Sequence, residues 1–191
     1  MTSLIGVVDN GSRYIRQILN FLEKRGVEFC VYPPYPKVLK SIKNGHSALI
    51  LTGSPWRWEV YSQFLDAEME LVRESKVPVL GICFGHQVIS RAFGVGLFNL
   101  GEKVEGEREM RVVKKDPIFD GLDRSFKAFE SHKWGVERVP PGFSLLASSD
   151  HCRVEAIKHR RRPIYGVQFH PEMGWDGELV LENFLKVHDI I

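Results

Sequence analysis

The sequence predicts an α/β fold in which helices flank an open, mostly parallel sheet and the second half is rich in strands. Before Gly94, short continuous apolar runs alternate with segments of helical periodicity, a pattern typical of parallel strands that are buried on both faces. After Gly94, closely spaced short strands separated by turns replace most of the helical segments. The 191 residues, 43% hydrophobic and 26% charged, have the length and composition of one globular domain over residues 1–191.

Strands and helices alternate in the first half. Each predicted strand is an apolar run that stops at a turn signal such as Asp9-Asn10-Gly11. The first predicted helix follows Ser12, which can cap it, and Gly26 ends it. The predicted strands are Leu4–Val8, Val27–Tyr32, Ala48–Leu51 and Pro78–Ile82, and the later predicted helices are Lys37–Lys43, Gln63–Ser75 and Phe84–Phe93.

The second half is predicted to contain short strands and one final helix. The helix follows Trp175-Asp176-Gly177, and its apolar residues Leu181, Phe184 and Leu185 recur at helical spacing. The predicted strands are Val95–Val104, Arg111–Lys115, Phe126–Glu130, Leu145–Ser149, Val154–Lys158 and Ile164–Phe169.

Composition and charge argue against several function classes. A net charge of +2, from 26 basic and 24 acidic residues, does not favour nucleic-acid binding. No apolar run has the length of a membrane span, and the N-terminus lacks the pattern of a signal peptide, so we expect a cytoplasmic protein without membrane contact. The three cysteines form no C-x-x-C pair, and the seven histidines show no metal-ligand spacing, so we expect neither a disulfide framework nor a metal site.

The strongest local signal is Gly81-Ile82-Cys83-Phe84-Gly85, between an apolar strand and a helix. The glycines permit a tight turn that lifts a nucleophile out of the backbone. At the start of the helix, the helix dipole favours the thiolate form of Cys83. The same turn aims the backbone N–H of Phe84 at the reacting centre as an oxyanion donor. The alternative interpretation is a buried structural cysteine in a glycine-rich turn.

A second signal is the strand that runs into His170-Pro171-Glu172. Residues two apart in extended backbone point to the same side, so Glu172 can accept a hydrogen bond from one imidazole nitrogen of His170. The other nitrogen can then face a nucleophile. By itself the motif also fits a surface His-Pro turn, but together with Cys83 it favours a nucleophile, a base and an orienting carboxylate.

Both signals resemble the signature motifs of class I glutamine amidotransferases. The matching segments are Gly81–Gln87 and Gly166–Glu172, and further similarity lies in Val8–Ser12, Ile50–Pro55 and Phe129–His132. The resemblance covers nearly the whole chain and implies the flavodoxin-like fold of that family. Within the family the sequence is most similar to the stand-alone amidotransferase subunits of archaeal-type GMP synthases.

The resemblance also implies a reaction. Cys83 would attack the side-chain amide of L-glutamine, His170 would carry the proton to the departing ammonia, and Glu172 would orient His170. Hydrolysis of the resulting thioester would release glutamate. The further implied site residues are Gly53, Ser54 and Phe84 in the oxyanion hole, and Gln87, Ser131 and His132 in substrate binding.

The ammonia would pass to a separate synthetase subunit, in the first place for GMP synthesis from XMP. The chain has neither a P-loop nor a Ser-Gly-Gly-x-Asp-Ser loop, so we expect ATP and magnesium only on an ATP-pyrophosphatase partner and no cofactor in this chain. Three alternatives stay open: a stand-alone γ-glutamyl hydrolase or peptidase, an amidotransferase subunit of another pathway, and a catalytically silent binding domain.

The sequence departs from the family pattern at three positions. Ser54 stands where the family usually has a second glycine, and Trp134 where GMP synthase subunits usually have aspartate. The His-Thr pair that usually follows His-Pro-Glu is absent from Met173–Gly177. Ser54 keeps the backbone N–H of the oxyanion segment but restricts the geometry of its backbone. The other two departures concern the substrate entrance or a partner surface rather than the chemistry itself.

Other features have simpler interpretations. The basic run Lys158–Arg162 is predicted to be a solvated turn, with a partner-docking surface as the alternative. Trp56 and Trp58 either line the substrate entrance or face a partner, or they simply pack internally. His86 is predicted to be structural, and Cys30 and Cys152 are predicted to be buried strand residues, because neither cysteine has a nucleophile turn.

Overall fold

The strands form a single mixed sheet. The computed structural model describes residues 3–42, 45–55 and 58–191, with the backbone alone for residues 58–64. The strands in this part of the chain are β1 (Leu4–Val8), β2 (Glu28–Tyr32), β3 (Ala48–Leu51), β4 (Val79–Ile82), β5 (Leu97–Val112), β6 (Ser125–Val136), β7 (Phe143–Ser148), β8 (Ala156–His159) and β9 (Ile164–Val167). Their order is β2-β1-β3-β4-β9-β8-β7-β5-β6, which confirms the predicted α/β class.

The strands from β2 to β9 in this order run parallel to one another. Every residue of β3, β4 and β9 is buried, as expected for continuous apolar runs in the middle of a covered sheet. The carboxyl ends of parallel strands meet at one edge of the sheet, so the segments that follow β3, β4 and β9 converge there. These segments carry Gly53, Cys83 and His170.

Helices cover both faces of the parallel strands. The two last residues of β1 show this division: Val7 belongs to the core that includes α1 and α5, whereas Val8 belongs to the core that includes α3 and α4. The third helix in chain order begins at Trp58, earlier than the predicted Gln63. The helices are α1 (Ile15–Lys24), α2 (Pro36–Leu39), α3 (Trp58–Glu74), α4 (Phe84–Ala92) and α5 (Gly177–Val187).

The other part of the sheet is antiparallel and contains the main error of the strand prediction. The predicted strands Val95–Val104 and Arg111–Lys115 form one 16-residue strand, β5, which pairs with β6 and is bulged between Asn99 and Val104. Gly101 and Gly106 lie inside this strand and have positive φ. In the sequence they resemble the glycines of turns, but here they are irregular positions within one strand.

One cysteine prediction is also wrong. Cys30 is exposed, because β2 is the edge strand of the sheet and has little covering it. Cys152 is buried as predicted, but it lies in the connection between β7 and β8 and not in a strand. None of the helices in the described residues has the length and apolar character of a membrane-spanning segment.

Candidate active site

Cys83 occupies a strained turn between β4 and α4. Its φ of 50° lies in the left-handed region, which is uncommon for a residue with a Cβ. The strain is held by a backbone hydrogen bond from Cys83 to Val167 of β9, 2.8 Å long. The residue is 5% exposed and lines a cavity of 490 Å³ at the carboxyl edge of the sheet. Backbone strain of this kind is typical of functional positions.

The glycines that flank Cys83 are required by close packing. A Cβ at Gly81 would lie 2.5 Å from the backbone of Gly85, and a Cβ at Gly85 would lie 2.3 Å from the carbonyl oxygen of Leu51. Any side chain at either position would therefore push α4 away from the sheet. The sequence signal Gly-x-Cys-x-Gly thus reports a real steric demand.

His170 and Glu172 form a buried pair next to Cys83. The Nδ1 atom of His170 lies 2.8 Å from Oε1 of Glu172, and both side chains are almost fully buried. A backbone hydrogen bond from His170 to Phe129, 2.7 Å long, fixes the segment against β6. The arrangement leaves Nε2 of His170 available to the thiol.

Electrostatics favour a charged His170. Burial alone would lower the pKa of His170, but the charge of Glu172, followed by the charge of Cys83 and a hydrogen bond with it, raises that pKa well above its usual value. A protonated imidazole is therefore favoured at this position. The pair resembles the nucleophile and base of a cysteine hydrolase.

Aromatic side chains that sequence reasoning missed enclose His170. Tyr14 contacts the imidazole edge-on, with 4.8 Å between the ring centroids. The ring of Phe129 lies 6.3 Å from the imidazole, measured between centroids. Trp175 stacks on Phe129 at 5.8 Å with an interplanar angle of 6°. These residues come from three separate segments of the chain, so no local spacing in the sequence could have identified them.

The predicted oxyanion segment lies directly against the pair. The position of a Cβ at Gly53 would be 2.9 Å from Cε1 of His170 and 3.7 Å from Cβ of Cys83, so only glycine fits there without a shift. Ser54 lines the cavity, and its φ is not positive. A serine at this position therefore requires no strained backbone. Phe84 is the first residue of α4, where backbone N–H groups point out of the helix.

A buried polar network holds the segment of Gly53 in place. Asn10 donates to Oε1 of Glu68 at 2.9 Å and to the carbonyl of Thr52 at 3.3 Å, and its own backbone N–H donates to the Thr52 hydroxyl at 2.9 Å. All three side chains have no exposed surface. Burial raises the pKa of Glu68 to about 7, despite the hydrogen bond from Asn10. We name this the Asn10–Thr52–Glu68 network.

The predicted substrate-binding residues lie on the walls of the same cavity. Gln87 faces it, but its side-chain amide already donates to the carbonyl of Trp134 at 2.8 Å and to Oε1 of Gln168 at 3.1 Å. Ser131 and His132 come from β6 and line the cavity together with Cys83. The cavity is lined by Ser12, Arg13, Tyr14, Ser54, Pro55, Cys83, Phe84, Gln87, Asn99, Lys103, Ser131, His132, Lys133, Trp134 and His170.

Gln168 is a further residue that sequence reasoning missed. It is fully buried, and its amide donates to the sulfur of Cys83 at 3.5 Å while its oxygen accepts from Gln87. It therefore links the thiol to the substrate wall. Its position two residues before His170, on the same face of the chain, is the signal that could have identified it.

Several features named in the sequence lie outside the cavity. Burial lowers the pKa of His86 to about 3, and its ring contacts the carbonyl of Val154 at 3.2 Å, as expected for a neutral structural histidine. In the basic run, Lys158 pairs with Asp116 at 2.7 Å. Arg162 donates to the carbonyls of Val72, in α3, and of Ser75, directly after it, so the run is partly structural. The side chains of Trp56 and Trp58 lie outside the described residues.

Comparisons with known proteins agree with this geometry. A family model for glutamine amidotransferase class-I matches residues 6–187. One subunit of the glutamine-hydrolyzing GMP synthase of Pyrococcus abyssi is 38% identical over 96% of this chain and 98% of its own length. The glutamine-hydrolyzing GMP synthase of Clostridium novyi is 35% identical over 95% of this chain but only 36% of its own length. A crystal structure from Thermoplasma acidophilum, described as that of a GMP synthase subunit, has a TM-score of 0.91 at 29% identity and covers 99% of this chain and 95% of its own.

Proposed function

This chain belongs to the class-I glutamine amidotransferase family, and on that premise we propose that it is the glutamine-hydrolysing subunit of a two-subunit GMP synthase. It converts L-glutamine and water into glutamate and ammonia. The observation that carries the proposal is the strained turn at Cys83 beside the buried His170–Glu172 pair, with 2.8 Å between Nδ1 and Oε1. Relatives of nearly the same length are named as one subunit of a GMP synthase.

The thioester chemistry uses three side chains. The Cys83 thiolate attacks the side-chain carbonyl carbon of glutamine, and protonated His170 gives its proton to the amide nitrogen as the C–N bond breaks and ammonia leaves. A γ-glutamyl thioester remains on Cys83. His170, now neutral, takes a proton from water as the water attacks the thioester, which releases glutamate and restores the thiolate. Glu172 holds the ring of His170 in place and stabilises its charged form.

Charge on the substrate oxygen is stabilised by backbone donors. The N–H groups of Phe84 and of the Gly53–Ser54 segment supply the oxyanion hole. Ser131 and His132 of β6 hold the amino-acid end of glutamine through their backbone groups, and Gln87 fixes that wall through its hydrogen bond to the carbonyl of Trp134, 2.8 Å long.

A partner subunit uses the ammonia. The protein from Clostridium novyi that this chain matches over 36% of its length carries the name of the whole enzyme, which supports a separate synthetase here. We expect that partner to be an ATP pyrophosphatase that binds ATP and magnesium and aminates XMP. A cytoplasmic location and the absence of nucleic-acid partners stay predictions.

The test is glutamine turnover by the purified chain, alone and with the ATP-pyrophosphatase subunit of a GMP synthase in the presence of ATP, magnesium and XMP. We expect slow release of glutamate by the chain alone and a large increase with the complete mixture. The Cys83→Ala variant is the matched control and should release no glutamate above background in either case. Full activity without any partner, with γ-glutamyl peptides preferred over glutamine, would instead identify a stand-alone γ-glutamyl hydrolase.

A further inference from the structure

A cluster of four ionisable side chains lies behind the β6 wall of the cavity. Glu130 and His132 belong to β6, and His151 and Glu155 belong to the connection between β7 and β8. One nitrogen or oxygen atom from each of the four lies within 4.8 Å of the others. Because the side chains come from two segments about 20 residues apart, the short-range spacing that led us to expect no metal could not reveal them.

Burial makes the charge of this cluster costly. The side chains of Glu130 and Glu155 have no exposed surface, that of His132 is 2% exposed and that of His151 is 25% exposed. Within the part of the chain that the structure describes, the ion pairs of the two carboxylates are with these histidines, and no lysine or arginine takes part. Two buried carboxyl groups require either protons or a nearby positive charge.

The tautomer of His132 leaves a lone pair pointing into the cluster. Its Nδ1 atom lies 3.0 Å from the carbonyl of Trp134, which can only accept, so the proton of a neutral ring sits on Nδ1. Its Nε2 atom then has no proton and lies 3.3 Å from Oε1 of Glu130. Neither atom has a hydrogen-bond partner among the described residues, and the same holds for Oε2 of Glu155. Two acceptors that face each other in a buried space suit a cation between them.

Two of the distances between the ligand atoms fit a tetrahedral metal ion, and the direct contact between Oε2 of Glu130 and Nε2 of His151 would have to open to admit it. Bonds of ~2.0–2.1 Å to a central ion place neighbouring ligand atoms roughly 3.3 Å apart. The separation is 3.3 Å for His132 Nε2 and Glu130 Oε1, and 3.6 Å for His151 Nε2 and Glu155 Oε1. Two imidazoles and two carboxylates are a donor set that suits zinc.

The surrounding contacts also match a metal site. A histidine that binds a metal usually donates its other N–H to a backbone carbonyl, as His132 does to Trp134. The carboxylate of Glu155 accepts a hydrogen bond of 2.6 Å from Ser149, which would orient it. We propose that Glu130, His132, His151 and Glu155 bind one zinc ion in a closed site that joins the β6 wall to the β7–β8 connection.

Zinc in this site would stabilise the substrate wall of the cavity without taking part in glutamine hydrolysis. The side chains of His132 and Gln87 both contact the carbonyl oxygen of Trp134. Holding His132 in place therefore also holds this carbonyl and Gln87, which lines the predicted glutamine site. The proposal is independent of the proposed function, because it concerns metal binding by the isolated chain.

The experiment treats the chain of residues 1–191 with a chelator and then titrates it with Zn²⁺ in a calorimeter. A parallel titration with Co²⁺ reports the coordination geometry by visible spectroscopy. We expect one Zn²⁺ per chain, and visible ligand-field bands of tetrahedral Co²⁺ without a thiolate charge-transfer band. The variants His151→Ala and Glu155→Gln should weaken zinc binding by at least the ~10–100-fold that loss of an outer-shell partner costs. Circular dichroism checks that each variant is folded.

Two control variants locate the metal. His159→Ala removes a histidine outside the cluster, and Cys83→Ala removes the reactive thiol; both should bind Zn²⁺ as the unaltered chain does. Absence of stoichiometric Zn²⁺ binding by the unaltered chain would overturn the proposal, and so would unchanged binding by folded His151→Ala and Glu155→Gln. Loss of binding in Cys83→Ala alone would place the metal on the thiolate and would overturn it as well.

Discussion

The two walls of the cavity are backed by buried polar networks of different kinds. Behind the wall of Gly53 and Cys83, the Asn10–Thr52–Glu68 network joins an amide, a hydroxyl and one carboxyl group whose pKa is raised to about 7 by burial. Behind the β6 wall, the cluster around Glu130 and Glu155 contains two buried carboxylates and two histidines.

This difference shows what each wall needs in order to be rigid. The first network has one carboxyl group, and the proton that its raised pKa retains makes the network nearly neutral, although Oδ1 of Asn10 and Oε2 of Glu68 have no partner among the described residues. The second network concentrates two carboxylates in one buried space, so it requires protons or a bound cation. We therefore expect changes on the first wall to affect chemistry, and changes behind the second to affect stability.

The largest effect should follow from changing His170. His170→Ala removes the proton carrier and should lower kcat for glutamine by about 10³-fold or more. Glu172→Gln should cost less, because the base remains and only its orientation and charge stabilisation are weakened. Steady-state glutaminase assays measure both. An equal or greater loss in Glu172→Gln would contradict the assigned roles.

The same variant predicts a shift in pH dependence. Glu172 contributes to raising the pKa of His170 well above its usual value, so it keeps the imidazole protonated to higher pH. Removing the carboxylate should therefore move the alkaline limb of the kcat profile to lower pH. An unmoved alkaline limb would show that His170 is not the group that titrates there.

Behind the first wall, Glu68 should make stability depend on pH. Its pKa is about 7 when folded and 4.5 ordinarily, so the folded chain keeps a proton that the unfolded chain loses between these values. The free energy of unfolding should thus fall as pH rises from about 4.5 to 7, by up to about 3 kcal/mol. Glu68→Gln should remove this dependence in urea unfolding at pH 5 and pH 8. A parallel pH dependence in both proteins would exclude a raised Glu68 pKa.

Gly53→Ala should separate chemistry from stability on the first wall. The added methyl group would lie 2.9 Å from Cε1 of His170 and must displace the ring. A shift of this size should lower kcat by roughly 10²-fold with little change in the thermal midpoint. Gly26→Ala is the matched control: its φ is +67° in open space, so it should lose about 1 kcal/mol of stability and keep its activity. Full activity in Gly53→Ala would show that the segment is not held against His170.

Ser149→Ala should give the opposite result behind the second wall. Ser149 donates to Glu155 at 2.6 Å and accepts from the backbone of Cys152 at 3.0 Å. Removing the hydroxyl leaves the carboxylate of Glu155 and the backbone N–H of Cys152 buried without this hydrogen-bond partner. The loss should lower the free energy of unfolding of the metal-free chain by about 1–3 kcal/mol, while kcat is retained. Ser144→Ala, on the more exposed side of β7, should cost less than about 0.5 kcal/mol. A loss of kcat in Ser149→Ala without loss of stability would reverse the comparison.

The two walls also differ in how far the sequence predicts them. The turn at Cys83 could be predicted because Gly81, Cys83 and Gly85 follow one another in a single short motif, although the steric demand on Gly85 comes from Leu51 of β3. The parallel strands could be predicted because they are continuous apolar runs. The length of β5, the contact of Trp175 with Phe129 and the cluster of Glu130 and Glu155 depend on strand pairing between distant segments, which no local pattern encodes.

The exposed edge strand gives a similar lesson. Cys30 stands in an apolar run much like those of the central strands, but its burial depends on whether a neighbour covers it. Position in the sheet order, and not local composition, decides the outcome.

Covalent labelling of Cys83 tests the central claim most directly. The glutamine-like electrophile 6-diazo-5-oxonorleucine should bind in the glutamine site, where Cys83 forms a carbon–sulfur bond as dinitrogen leaves. Peptide mass spectrometry should find one adduct, on Cys83, that excess glutamine suppresses and that is absent from Cys83→Ala. Exposed Cys30 is an internal control for non-specific reactivity. Labelling of Cys30 in preference to Cys83, or no adduct with or without the partner, would contradict the account.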